Sequence, residues 1–198
     1  MNHKIKKFTV KQLALVGLMT AVFCILGPIA FHIPISPVPI SLGMLAIYFI
    51  LTVLGMKLGT LSVVVYILLG LAGVPVFTDF TGGPGKLFGP TGGYIIGYVF
   101  MALVCGFFVD RWGSKIWISF LGMLLGTAIC YLFGTLWLAH QASLTFPQAL
   151  MAGVIPYIPP DLIKLLLAMT IGIQVRKRLV KAGLIPSSAS PCQRSEPA

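Results

Sequence analysis

The sequence predicts an all-α membrane protein: six transmembrane helices with the N- and C-termini both cytoplasmic. Three observations carry this fold class. Only 9% of the 198 residues are charged, 58% are hydrophobic, and mean hydropathy is +0.99, whereas a soluble domain carries about 25% charged residues. Uncharged runs recur along the chain at about the 20 residues a helix needs to cross the bilayer. The basic residues gather at alternate ends of those runs, the asymmetry that sets membrane topology.

The elements follow in order. Residues 1–11 form a basic cytoplasmic N-terminus with Lys4, Lys6, Lys7 and Lys11. The apolar run Leu13–Phe31 is longer than a signal-peptide core and lacks a small-residue cleavage site, so it reads as a retained first helix. An outer segment, HIPISPVPIS, is extended, because proline removes a backbone donor and disfavours helix at the residue before it. Ile40–Met56 and Leu58–Val76 are the second and third spans. Only Lys57 and its neighbours separate them, so a tight helical hairpin is expected, with Gly55 and Gly59 suited to the turn. The second outer segment, Pro75 to Gly93, reads PVFTDFTGGPGKLFGPTGG. A loop of such length with little charge is uncommon and usually functional.

Thr91–Val109 and Ile116–Ala139 are the fourth and fifth spans. The third outer segment contains LTFPQALMAGVIPYIPP, in which Phe146, Pro147 and Gln148 start a short helix on the outer face. The last span is Asp161–Val175. The membrane domain thus covers residues 12–184. Residues 185–198 change abruptly to a Ser/Pro-rich composition and read as a disordered tail, with the look of a cloning scar.

With six spans, the inner segments hold Lys4, Lys6, Lys7, Lys11, Lys57, Arg111, Lys115, Arg176, Lys177, Arg178, Lys181 and Arg194. Only Lys86 and Lys164 of the fourteen basic residues fall elsewhere. An odd number of spans would put the basic C-terminal cluster outside, against the positive-inside rule. The net charge of +10 is therefore topological. No basic stripe interleaved with aromatics marks a nucleic-acid surface, so no nucleic-acid partner is expected.

Several chemistries are excluded by what the sequence lacks. It has no Walker-type phosphate loop and no HExxH. His3, His32 and His140 are scattered, and Cys24, Cys105, Cys130 and Cys192 have no metal-type spacing. Neither a metal nor a catalytic residue is expected, and the chain reads as no enzyme. The four acids are Asp79, Asp110, Asp161 and Glu196. Asp110 adjoins Arg111 at an inner boundary and Glu196 lies in the tail, which leaves Asp79 and Asp161 on the outer half.

Asp161 and Lys164 are the charges of the run YIPPDLIKLLLAMTIGIQV. If Arg176 marks the inner boundary, Asp161 lies roughly 22 Å away along the helix, below the outer headgroups, with Lys164 one turn deeper. Residues three apart share a helix face. One face thus offers an acceptor carboxylate beside a donor ammonium, and intramembrane ions mark ligand pathways. The plainer readings are a structural ion pair or a snorkelling lysine, with Asp161 favouring the helix start after Pro159-Pro160.

The loop GGPGKLFGPTGGY brings backbone close to a ligand through its glycines. Gly92 and Gly93 precede a helix whose N-terminus favours an anion. Lys86 is the loop's cation, and Phe77, Phe80, Phe88 and Tyr94 are candidate aromatic walls. A surface lid without ligand contact is the alternative. On the first helix Gly17 and Ala21 form a small-xxx-small pair, which serves either internal packing or the docking of a partner helix.

The runs GGPGKLFGPTGGYIIGY, YIPPDLIK and SPVPIS together resemble the BioY family, the biotin-specific S components of energy-coupling factor (ECF) transporters; the likeness covers about Lys11 to Leu184. The resemblance implies the S-component fold in the cell membrane, crossing it several times. It implies biotin as transported ligand, captured with high affinity from outside, and no cofactor. It implies partners as well: a transmembrane coupling protein and ATPase subunits of an ABC-type importer. The candidate substrate-binding set is Asp161, Lys164, Lys86, Asp79, Phe88, Gly92, Gly93 and Tyr94, and the docking pair is Gly17 and Ala21, where the family's motif has Ala at the first position. In the expected mechanism Asp161 accepts from the ureido N–H groups and Lys164 donates to the ureido carbonyl or to Asp161. The carboxylate meets Lys86 or loop amides; the reverse placement, carboxylate on Lys164, stays open. The family commonly reads PVPITLQT where this chain has Leu42, Gly43 and Met44, so a glutamine side chain is missing and Gly43 is expected to let the second helix pack closely. The rival readings are an S component for another vitamin, and a secondary transporter or channel for a small solute, although the inverted halves such a transporter needs are not visible.

Overall fold

The computed structural model describes residues 9–32, 38–112 and 116–185. Expectations for Lys4, Lys6, Lys7, Lys115, Arg194, the SP of SPVPIS and the Ser/Pro-rich tail lie outside those residues. The helices are α1 (Val10–Leu26), α2 (Gly43–Leu71), α3 (Pro84–Leu87), α4 (Gly92–Trp112), α5 (Ile116–Gln141), α6 (Phe146–Gly153) and α7 (Ile158–Lys181). Two short strands, β1 (Ala30–Phe31) and β2 (Ile40–Ser41), pair antiparallel in the register Ala30↔Ser41 and Phe31↔Ile40. They flank the outer proline-rich segment, of which residues 33–37 lie outside the described residues.

Among the described residues, four helical runs are long and apolar enough to cross a membrane, and α1 is a shorter apolar helix. The count reaches six because α2 is two helices. Gly55 has φ +73° and ψ −163° inside it, a conformation open to glycine. A Cβ on Gly59 would lie 3.5 Å from Leu51 Cα and 3.7 Å from the Ile50 carbonyl oxygen. A straight helix separates positions eight apart by about 12 Å. The arms 43–54 and 56–71 therefore fold back on each other as the expected hairpin. Its turn sits at Gly55, one of the two glycines expected to suit it, and Lys57 is exposed on the second arm.

The arm 43–54 is the centre of the bundle: Ala46, Ile47, Tyr48, Ile50, Leu51 and Val53 are fully buried. Around it the helices meet through small residues, which let backbones approach in a bilayer where apolar surface alone gives little drive to associate. On α1, Thr20 donates to the Ser62 carbonyl at 3.3 Å, and Phe23 stacks on Tyr66 with centroids 3.7 Å apart. Gly97 of α4 meets Cys130 of α5 at 3.1 Å, and Gly172 of α7 meets Thr52 at 2.8 Å, each measured from a built Cβ.

One ion pair ties the inner end together. Asp110 neighbours Arg111 in sequence, yet its partner is Arg176, 3.3 Å away. Its other carboxylate oxygen accepts the Met56 N–H at 2.9 Å, so it caps the second arm of the hairpin. Arg176 also donates to the Thr52 carbonyl at 3.3 Å.

At its C-terminus α7 ends on Gly183, with φ +67°, and the Leu184 N–H returns to the Leu179 carbonyl at 3.0 Å. This is a glycine-terminated cap. It turns Ile185 into the core, where it is 6% exposed. Ile185 is the last of the described residues.

Candidate substrate-binding site

The outer ends of the helices border an open cavity of about 530 Å³, including its open side. It is walled by the segment from Val38 to Ser41, by Met44, by Thr78 and Thr91 of the long loop, and by Tyr94, Ile95 and Tyr98 of α4. Tyr131 of α5, Gly153 and Tyr157 complete the ring with Asp161 and Lys164 of α7.

The charged pair sits there because of how α7 begins. Pro159 and Pro160 occupy its first positions, which need no helical N–H donor, and Asp161 falls in the first turn. A carboxylate is favoured at that end by the helix dipole. One turn on, Lys164 Nζ reaches Asp161 Oδ1 at 2.8 Å, and the two side chains are 10% and 7% exposed. The pair is thus buried, as the sequence implied. Lys164 also donates to the Ser41 carbonyl at 2.8 Å. The ammonium is therefore not snorkelling: it is held between α7 and β2.

Tyr94 apart, the rest of the polar ring does not figure among the expected site residues. Tyr131 Oη donates to Asp161 Oδ2 at 2.7 Å. Tyr94 Oη donates to the Gly153 carbonyl at 3.0 Å, and Tyr157 Oη to the Val38 carbonyl. Ser41 joins three elements: Oγ donates to the Gly27 carbonyl and accepts the Gly43 N–H, both at 2.9 Å. A signal for the tyrosines did exist. A phenol inside an apolar helix needs a partner for its hydroxyl, and Tyr131 is such a phenol.

Of the expected site residues, the structure brings Asp161, Lys164 and Tyr94 to one cavity. The loop reaches it through Thr78 and Thr91, the neighbours of Asp79 and Gly92, while Asp79, Lys86, Phe88, Gly92 and Gly93 lie outside the lining. Asp79, at φ +64°, pairs with His32 Nε2 at 3.2 Å. Lys86 lies on α3, and Phe88, just after it, is 64% exposed. Gly92 and Gly93 are places of close approach: a Cβ would collide with the Leu87 carbonyl at the first and with Trp137 at the second. The amides of Gly92, Tyr94 and Ile95 go to the carbonyls of Gly89 and Thr91. The loop is itself pinned to α5, with Trp137 Nε1 donating to the Gly89 carbonyl at 2.9 Å and the Gln141 amide to that of Phe88.

Gly43 does allow contact: a Cβ there would lie 3.1 Å from Ser41 Oγ, 3.5 Å from the Phe23 ring and 3.6 Å from Tyr98 Oη. Gly17 has nothing within 4 Å of a built Cβ, and Ala14 and Ala21 beside it are also exposed. That stripe of α1 therefore does not serve packing among the described residues. No group of three or more His, Cys, Asp or Glu is assembled among the described residues.

The arrangement presents a carboxylate and an ammonium side by side, walled by aromatic rings. It suits a small ligand with a donor–acceptor head and an apolar body.

Comparison with known proteins agrees in fold and length. The model of the BioY family matches residues 1–181. The biotin transporter BioY of Thermotoga maritima is 36% identical over 167 residues, which cover 84% of this chain and 96% of that one. The probable biotin transporter BioY of Pyrococcus horikoshii is 36% identical over 161 residues, 81% and 93% of the two chains. Among solved structures, the S-component for biotin from an ECF-type ABC transporter superposes with a TM-score of 0.79 at 33% identity. That match covers 89% of this chain and 95% of the other.

Proposed function

The chain belongs to the BioY family, and on that premise we propose that it captures biotin at the outer side of the cell membrane as the substrate-specific subunit of an ECF-type importer. The observation that carries the ligand assignment is the buried Asp161–Lys164 pair on the cavity wall. The ureido group of biotin has N–H donors and a carbonyl acceptor on one rigid ring. Asp161 retains lone pairs for those donors beyond the bonds it already makes, and Lys164 turns one of its N–H groups to the carbonyl. Tyr94, Tyr98, Ile95 and Met44 provide apolar wall for the thiophane ring and the aliphatic tail. The valerate carboxylate then points to the mouth, toward Thr78, Thr91 and the loop that carries Lys86.

Such a site rejects analogues by leaving its own buried polar groups unpaired. Lys164→Ala removes the donor and strands Asp161 with one partner. Biotin affinity should fall by about a hundredfold or more, while the circular dichroism of the purified protein stays helical. Isothermal titration is the measurement, and unchanged affinity would sink the assignment. Titration with thiamin and riboflavin separates this reading from an S component for another vitamin.

The relatives are transporters, and this chain carries no nucleotide motif, so the energy for inward release comes from elsewhere. A transmembrane coupling protein and ATPase subunits supply it in this reading. The exposed stripe Ala14, Gly17 and Ala21 on α1 gives a partner helix a place to approach closely.

A further inference from the structure

Tyr131 stands between two spaces. On one side is the ligand cavity; on the other is a crevice of about 420 Å³, including its open side, lined by Tyr48, Leu124, Thr127, Ala128, Ile158, Leu162 and Leu165. Tyr131 and Asp161 line both. The crevice opens on the apolar flank where Ala128, Leu162 and Leu166 are exposed, in a stretch of α5 and α7 that spans the membrane. Its hydroxyls face inward: Tyr48 Oη and Thr127 Oγ1 bond each other at 2.7 Å. The crevice therefore offers hydrocarbon to the bilayer, and the Tyr131–Asp161 hydrogen bond is the partition behind it.

We propose that Tyr131 is a positioning residue that sets ligand specificity: its phenol holds Asp161 Oδ2 while Lys164 holds Oδ1, so the carboxylate is kept in one orientation as an acceptor for ligand N–H groups. The inference rests on the biotin reading for its ligand, not for its geometry. A carboxylate has two oxygens and about four lone-pair sites. With Lys164 on one oxygen at 2.8 Å and Tyr131 on the other at 2.7 Å, each oxygen keeps room for one further donor. Without the phenol, Oδ2 loses this partner beside a largely apolar crevice, where an unpaired charged oxygen is strongly disfavoured. The carboxylate then turns, and the donor-reading geometry is lost even though the charge remains.

The test uses Tyr131→Phe, which keeps the ring and deletes only the hydroxyl. Biotin and a biotin methylated on both ureido nitrogens are titrated against the wild type and the variant. Losing one hydrogen bond to a charged group should weaken biotin about tenfold or more and leave the methylated analogue unchanged, so discrimination collapses. Equal loss for both ligands means a merely structural role and overturns the proposal, as does unaltered discrimination. A readout without ligand separates this result from the biotin reading. The infrared antisymmetric stretch of Asp161, assigned by Asp161→Asn, should shift in Tyr131→Phe, and an unshifted band overturns the proposal. If the wild type fails to bind biotin, the biotin reading falls while the band still decides the role of Tyr131.

Discussion

Single residues fix both ends of this molecule. At the inner end Gly55 takes a positive φ, and a Cβ there would collide with the Asp110 carboxylate. Gly55→Ala therefore strains the backbone by about 1–3 kcal/mol and displaces the group that caps Met56 and pairs with Arg176. A fall in Tm of about 4 °C or more is expected in detergent, and an unaltered melting curve would contradict the account. The outer end shows which residues a sequence reveals. Asp161 and Lys164 were legible because charge in an apolar helix has few explanations. Ser41, Tyr98 and Tyr131 were less so: a phenol in an apolar helix signals that its hydroxyl needs a partner, but which carbonyl or carboxylate lies nearby is set by packing. The same holds for Asp110: its sequence neighbour Arg111 gave no hint that Arg176, sixty-six positions away, is the partner.

At the scale of elements, charge-free runs located the spans, but their ends were set by local chemistry. The capping box at Thr145 and Gln148 starts α6, where a short helix was expected from the sequence. α7 begins three residues before the expected Asp161, since prolines are accepted in a first turn. α1 stops at Leu26 instead of Phe31, because the chain turns through Gly27 and Pro28 into the β1–β2 pair. The sequence reads the long loop as a glycine-rich approach to ligand or a surface lid. It is folded, with the Gly83 N–H on the Gly70 carbonyl at 2.7 Å and its far end held by Trp137. Trp137→Phe deletes that last bond and leaves the ring. Local opening governs cleavage of a folded loop, so trypsin should cut after Lys86 about two- to tenfold faster in the variant, given the usual worth of one hydrogen bond. Biotin should slow the cut in both proteins if the loop closes over it. Equal rates in variant and wild type would show that Trp137 does not restrain the loop.

For the whole molecule, one geometric fact connects the charge pattern to orientation. Asp110, Met56 and Arg176 meet at one end, so the turn after the second span, the end of α4 and the basic stretch of α7 share a side. Of the described basic residues, Lys11, Lys57, Arg111, Arg176, Lys177, Arg178 and Lys181 lie toward that end, while Lys86 lies at the other and Lys164 inside the bundle. Seven against one is a bias that places the basic end in the cytoplasm and the ligand cavity outside. The internal packing fixes which ends share a side but is indifferent to which side faces out; the lysines and arginines decide that. With Cys24, Cys105, Cys130 and Cys192 replaced by alanine, Ala142→Cys on the cavity side should react with a membrane-impermeant maleimide on intact cells. Lys57→Cys, exposed at the Gly55 turn, should react only after the membrane is opened. The reverse labelling pattern would invert the molecule, put the Asp161–Lys164 cavity toward the cytoplasm, and remove the physical basis for uptake from outside.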